Sequence, residues 1–205
     1  MADLLTEALD AEPPDAYRPE PGPAAEVLPG ALGDAVKRFD DAVDGLFDRL
    51  RGKPLADRVF YGASAVGDFS LIWQIASVAT ALRGGRHEKE AVRLSASLGI
   101  ESAFINLGVK SLFRRKRPVR VVHATRKLRQ PRSSSFPSGH ATSGFMAATL
   151  LSAGRGRPAK AFWYGVAAVV ASSRVHVRIH HGSDVAAGAV IGWGLGRVVR
   201  KIWRV

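Results

Sequence analysis

Between Ala31 and Leu55 the apolar residues Val36, Phe39, Val43, Leu46, Phe47 and Leu50 recur at three and four positions, with acids and bases between them. That period predicts an amphipathic helix lying on a surface rather than crossing one. The pattern then changes. From Val59 to Leu82 the chain runs apolar with Asp68 as its one charged residue, long enough for the roughly 30 Å hydrocarbon core of a bilayer. Four further apolar stretches follow, Leu94 to Val109, Ala141 to Ala153, Ala161 to Ser173 and Val185 to Val199, each shorter than the about 20 residues of a full span. They are rich in Gly, Ala and Ser, as closely packed membrane helices are. In the last of them Gly188, Gly192 and Gly196 repeat every fourth residue to make a flat face open to another helix or a second copy.

These elements predict an all-α protein, an integral-membrane bundle of about five transmembrane helices plus the amphipathic N-terminal helix. Sustained strand alternation is confined to RVVHATRKL (120–128), and no internal repeat is present. Residues 1 to 29 hold Pro13, Pro14, Pro19, Pro21, Pro23 and Pro29 with little apolar material, the composition of a disordered arm. The expected division is therefore an arm over 1–30, an interfacial helix over 31–57 and a membrane domain over 58–205.

Charge narrows the partner. The 205 residues carry 30 Lys and Arg against 18 Asp and Glu, a net charge of +12, so the chain is expected to meet an anion. The excess is concentrated between the apolar stretches, at 83–90, 110–132, 155–160 and 200–204. Cysteine is absent, which excludes a disulfide framework and a thiolate metal site. The N-terminal MADLLTEALDAEPPD has neither a basic start nor an apolar core, so no signal peptide is expected.

Three segments carry candidate chemistry. In SSSFPSGHATSGF (133–145), Pro137 suits a first helical position, where the amides that follow lack partners and favour an anion. Gly139 lets an anion approach the backbone, Ser138 adds a hydroxyl and His140 a proton donor or acceptor; a plain Ser/Gly loop with a helix-start histidine fits the same letters. Lys110 and Arg117 are seven apart, two turns of a helix that Pro118 ends, so both cations reach one point. Arg114, Arg115 and Lys116 read as contacts to lipid headgroups. In SRVHVRIHHGSD (173–184), Arg174 precedes His180, and Asp184 follows it by four residues. A carboxylate so placed accepts one imidazole N–H and leaves the other nitrogen free to attack, with His176 and His181 as local competitors. Glu101 and Asn106 lie inside an apolar stretch and are expected to be structural.

In order and spacing these segments read K-x6-RP, PSGH and SR-x5-H-x3-D, over residues 110 to 184. That arrangement closely resembles the type 2 phosphatidic acid phosphatase (PAP2) superfamily, which also includes bacterial acid phosphatases and vanadium haloperoxidases. Membrane members mostly have six transmembrane helices where five are counted here. The resemblance implies that His180 attacks phosphorus to form a phosphohistidine, oriented by Asp184. It implies that Lys110, Arg117, Ser138, Gly139 and Arg174 hold the phosphate oxygens, and that His140 protonates the leaving oxygen and then activates water, with no metal or other cofactor.

The function it implies is a multi-pass cell-membrane phosphatase acting on a lipid phosphate or diphosphate: a polyprenyl phosphate, a lipid-linked sugar phosphate or a phosphatidate-like lipid. A haloperoxidase keeps the same residues. A binder of anionic lipid or nucleic acid would use the basic 110–132 segment alone, but leaves His180 and Asp184 unexplained and offers Phe113 as its one stacking aromatic, so no nucleic acid partner is expected. Counting crossings from Val59 puts the N-terminal arm on the active-site side, which is expected to be cytoplasmic.

Overall fold

The computed structural model describes residues 30–118 and 133–205, whose regular secondary structure is helical throughout. The N-terminal arm and the basic stretch 119–132, with its strand-like alternation, lie outside the described residues. Helix α1 (Ala31–Asp48) carries the predicted amphipathic pattern but ends before Leu55, because a turn containing Gly52 at φ 80° intervenes. Val43 fits against Gly182, and Phe47 meets Phe60 edge to face with centroids 5.6 Å apart. Phe39 and Leu46 stay exposed, while Asp40 is buried.

The long apolar run is two helices rather than one. α2 (Pro54–Gly67) starts with a proline in its first turn, and α3 (Leu71–Ala81) follows a tight turn over Asp68–Ser70 in which Phe69 and Ser70 take φ values of 53° and 58°. Left-handed residues cannot continue a right-handed helix. The break delivers Asp68, the one charge of the run, to the wall of a polar cavity instead of to apolar surroundings.

α4 (Arg86–Ala103) runs into a π-helical stretch, Phe104–Val109, and a last turn, Lys110–Leu112, after which Phe113 is extended. Arg117 is therefore not two helical turns beyond Lys110 as predicted. It lies on a non-helical segment tied to the irregular approach to α5, with the Ser135 amide donating to the Arg115 carbonyl at 2.9 Å. The residue before Pro118 disfavours helix, and the segment's inward-reaching arginines find their partners in this non-helical form.

α5 (Gly139–Leu151) sits at the centre, buried along nearly its whole length, between α6 (Arg157–His176) and α7 (Gly182–Ile202). The predicted glycine face of α7 is used here, inside the chain, and not between two copies. A Cβ on Gly188 would lie 2.6 Å from the Ser138 carbonyl oxygen, one on Gly196 2.7 Å from Thr149 Cβ, and one on Gly192 would overlap the Thr142 carbonyl. Among the described residues no helix is both long and apolar enough to cross a membrane. The first run is broken in two, and α5 has thirteen residues.

Candidate active site

The end of α4, the start of α5 and the α6–α7 connection converge on one cavity of about 410 Å³. Lys110, Gly139, His140, Arg174 and His180, candidates from three separate segments, all line it. Lys110 Nζ lies 3.8 Å from where a Gly139 side chain would begin, and it donates to Asn106 Oδ1 at 3.0 Å.

α5 begins at Gly139 with Ser138 as its cap, so Pro137 stands outside the helix rather than in its first turn. The Ser138 hydroxyl accepts from the Ala141 amide and its own amide donates to the Asp184 carbonyl at 3.1 Å. Ser138 is fully buried behind the wall, while Gly139 forms the wall itself.

His180 is held on both sides of its ring. Nδ1 lies 3.4 Å from Ser135 Oγ and 3.6 Å from Asp184 Oδ2, and Nε2 lies 3.2 Å from Arg117 Nη1. Asp184, at the start of α7, accepts from Ser135 Oγ at 2.5 Å and from the His181 amide at 2.9 Å. Arg117 is anchored by the carbonyls of Ser133, Ser134 and Ile179. The competing histidines are employed elsewhere. His176 is buried, 2.7 Å from Asp57 and stacked on Phe60, and His181 caps α7.

Electrostatics follow from burial among cations. Desolvation lowers the His180 pKa to about 3, with Asp184 opposing and Arg117 and Arg174 reinforcing, so its imidazole is neutral. Burial, reinforced by Arg117 and Arg174, pushes Lys110 down to about 8. His140 is also shifted down by burial, against the pull of Asp68.

Several site residues escaped sequence reasoning. Asp68 Oδ1 is 3.3 Å from His140 Nε2, which also meets the Ser64 carbonyl at 3.2 Å. The Ser64 hydroxyl accepts from Arg174 at 2.5 Å. Arg115 is not a headgroup contact: it is buried, donating to Asp184 Oδ1 and Asp40 Oδ2 at 2.5 Å each and to Ser183 Oγ at 2.7 Å. Glu101 and Asn106, expected to be structural, line the cavity. The lone acid in an apolar run was the available signal for both Asp68 and Glu101.

A family model described as the PAP2 superfamily matches residues 90–204. A decaprenylphosphoryl-5-phosphoribose phosphatase of Mycobacterium tuberculosis is 31% identical over 141 residues, covering 69% of this chain and 77% of its own. The enzyme of the same name from Mycolicibacterium smegmatis is 33% identical over 162 residues, covering 77% and 84%. Among solved structures, Aquifex aeolicus LpxE superimposes with a TM-score of 0.63 at 22% identity, covering 80% of this chain and 94% of its own. A transmembrane PAP2-type phosphatidylglycerolphosphate phosphatase from Bacillus subtilis gives 0.61 at 22%, covering 88% and 92%.

Proposed function

The chain belongs to the PAP2 superfamily and is a phosphatase of that type, and we propose that it removes a terminal phosphate from a lipid-linked substrate through a phosphohistidine at His180. The observation that carries this reading is His180 held on both sides, with Ser135 and Asp184 at Nδ1 and the Arg117 cation at Nε2, on the wall of a cationic cavity.

With Nδ1 facing Ser135 and Asp184, the lone pair for attack is on Nε2. A P–N bond forms there as the P–O bond to the leaving alcohol breaks, and the charge spreads over the non-bridging oxygens. Lys110, Arg117, Arg174 and the Gly139 amide hold those oxygens, while Ser138 keeps α5 capped behind them. The carbonyl of Ser64 can only accept, so His140 Nε2 carries a hydrogen and Nδ1 exchanges the mobile proton. That proton goes to the leaving oxygen. His140 then takes one from the water that attacks phosphorus, and the P–N bond breaks to release phosphate and restore His180. Asp184 stabilises the imidazolium between these steps. The three cations supply the countercharge, so the reaction needs no metal.

The substrate class rests on the relatives, whose names specify a polyprenyl-linked phosphosugar. A membrane seat is supported by apolar side chains turned outward along α3, α4 with its π-helical continuation, and α7, among them Leu71, Val78, Ile100, Leu107 and Val190. The broken first run fits it too, since irregular backbone at membrane depth is tolerated where it lines a cavity. α1 packs at the active-site end of the bundle through Asp40 and Val43, and we place that end in the cytoplasm. Cysteines introduced at Ser134 and Gly156 test the side: an impermeant thiol reagent applied to intact cells is expected to spare Ser134→Cys, and labelling of that site alone contradicts the assignment.

Phosphate release from a lipid-linked sugar phosphate, a polyprenyl phosphate and phosphatidate in detergent micelles tests the activity. Release blocked by vanadate and unaffected by EDTA is expected, because vanadate adopts the five-coordinate geometry of the transferring phosphoryl group. Release from none of the three, or loss on chelation that Mg²⁺ restores, overturns the reading.

A further inference from the structure

The cavity has more room than a phosphoryl group fills, and the rest of its wall is polar. Around the phosphate-holding groups stand Asp68, Ser70, Glu101, Ser102, Asn106 and Ser143, and among the described residues Phe69 is the one large apolar side chain on the lining. A bare hydrocarbon alcohol would offer this polar wall no hydrogen bond.

Glu101 is the most telling of them. It is 3% exposed, it lines the cavity, and among the described residues its carboxyl has no hydrogen bond. Its neighbours are already engaged: Asn106 accepts from Lys110 Nζ at 3.0 Å and donates to the Ser102 carbonyl at 2.8 Å. A buried carboxyl without a partner costs several kcal/mol, and an intramembrane acid kept in that state marks a functional site by default.

Its position is built by the backbone. Nine residues of ideal α-helix make two and a half turns, which would put Glu101 and Lys110 on opposite faces. The π-helical stretch Phe104–Val109 between them underwinds the helix, and both side chains reach the one cavity. The departure from regular helix therefore joins the phosphate-holding lysine to an unpaired acid.

We propose that Glu101 is a specificity-determining residue whose carboxyl hydrogen-bonds a hydroxyl of the leaving alcohol, so that the cavity takes the phosphate ester of a polyhydroxylated group such as a sugar. This rests on the phosphatase reading above. A hydroxyl is the fitting donor because Lys110, Arg117 and Arg174 already give the cavity a positive field, which disfavours an ammonium. A site built around a buried polar group discriminates sharply against substrates that leave it unpaired.

The test uses the full chain in detergent with three soluble probes: ribose 5-phosphate, 2,3-dideoxyribose 5-phosphate and pentyl phosphate. The wild-type protein is expected to favour ribose 5-phosphate by about tenfold or more in kcat/KM, the scale of leaving one buried polar group without its hydrogen bond. Glu101→Gln is expected to lower turnover of ribose 5-phosphate by about ten- to hundredfold and to leave pentyl phosphate within about threefold. Equal wild-type rates on all three probes overturn the proposal without recourse to any variant. Equal loss on ribose 5-phosphate and pentyl phosphate in Glu101→Gln also overturns it, since it marks a structural role. A separate failure is recognisable: if no probe gives vanadate-sensitive release that His180→Ala abolishes, the phosphatase reading itself falls, and this proposal with it.

Discussion

Asp40 and Asp184 hold the two ends of one guanidinium, with Arg115 Nη2 2.5 Å from Asp40 Oδ2 and Nη1 2.5 Å from Asp184 Oδ1. All three side chains are almost wholly out of water. The N-terminal helix, which lies outside the stretch matched by the family model, is thereby joined to the carboxylate that faces the attacking histidine.

Removing one member of a buried ion group strands its partners and costs about 3–5 kcal/mol. Arg115→Ala is therefore expected to lose most of the folded protein, read as a fall in melting temperature in detergent. Arg115→Lys keeps a charge but cannot bridge two carboxylates, and about a tenfold loss of kcat with folding retained is expected. Arg114→Ala, at an exposed position one residue away, should stay within about twofold in both measurements. Equal effects at Arg114 and Arg115 would contradict the arrangement.

That contrast shows where sequence reading stops. In RRKR (114–117) four cations are adjacent, and nothing in their letters distinguishes the exposed Arg114 and Lys116 from Arg115 and Arg117, which reach inward to Asp184 and His180. Which cation turns inward is decided by a non-helical backbone, whereas the spacing of Lys110 and Arg117 had suggested a helix. Of the residues that line the cavity, Lys110, Gly139, His140, Arg174 and His180 were legible because each stands in a motif of fixed spacing. Asp40 was not, being one of several acids on a helix whose apolar stripe was its visible feature. The glycine repeat of α7 correctly announced a close contact, but period alone cannot say whether the neighbour is α5 or a second copy.

A matched pair of glycine substitutions tests the α5–α7 contact. A Cβ at Gly192 overlaps the Thr142 carbonyl, whereas one at Gly194 meets nothing within 4 Å. Gly192→Ala is expected to destabilise by about 1–3 kcal/mol or more, the scale of overpacking a tight core. Gly194→Ala should be neutral or stabilise by up to about 1 kcal/mol through helix propensity. Thermal melts of the two variants check the signs, and a harmless Gly192→Ala would remove the contact as described.

The pH profile follows from Lys110. The protonated amine is the form that holds phosphate, and burial lowers its pKa to about 8. Raising the pH through that value discharges it, so kcat/KM, which reports the free enzyme, should fall above about pH 8. Lys110→Arg keeps its charge at these pH values and should move that limb upward, with lower activity beneath it. A limb that stays in place in Lys110→Arg would assign the titration to another group.

The account stands most directly on the covalent intermediate. A substrate labelled in its terminal phosphoryl group, mixed with wild-type protein and quenched within the first turnover at high pH to preserve the acid-labile P–N bond, is expected to leave the label on the peptide containing His180. The label should be absent from His180→Ala, which should also release no phosphate. Label on the His181 side chain, or wild-type phosphate release from His180→Ala, would contradict the assignment of the nucleophile.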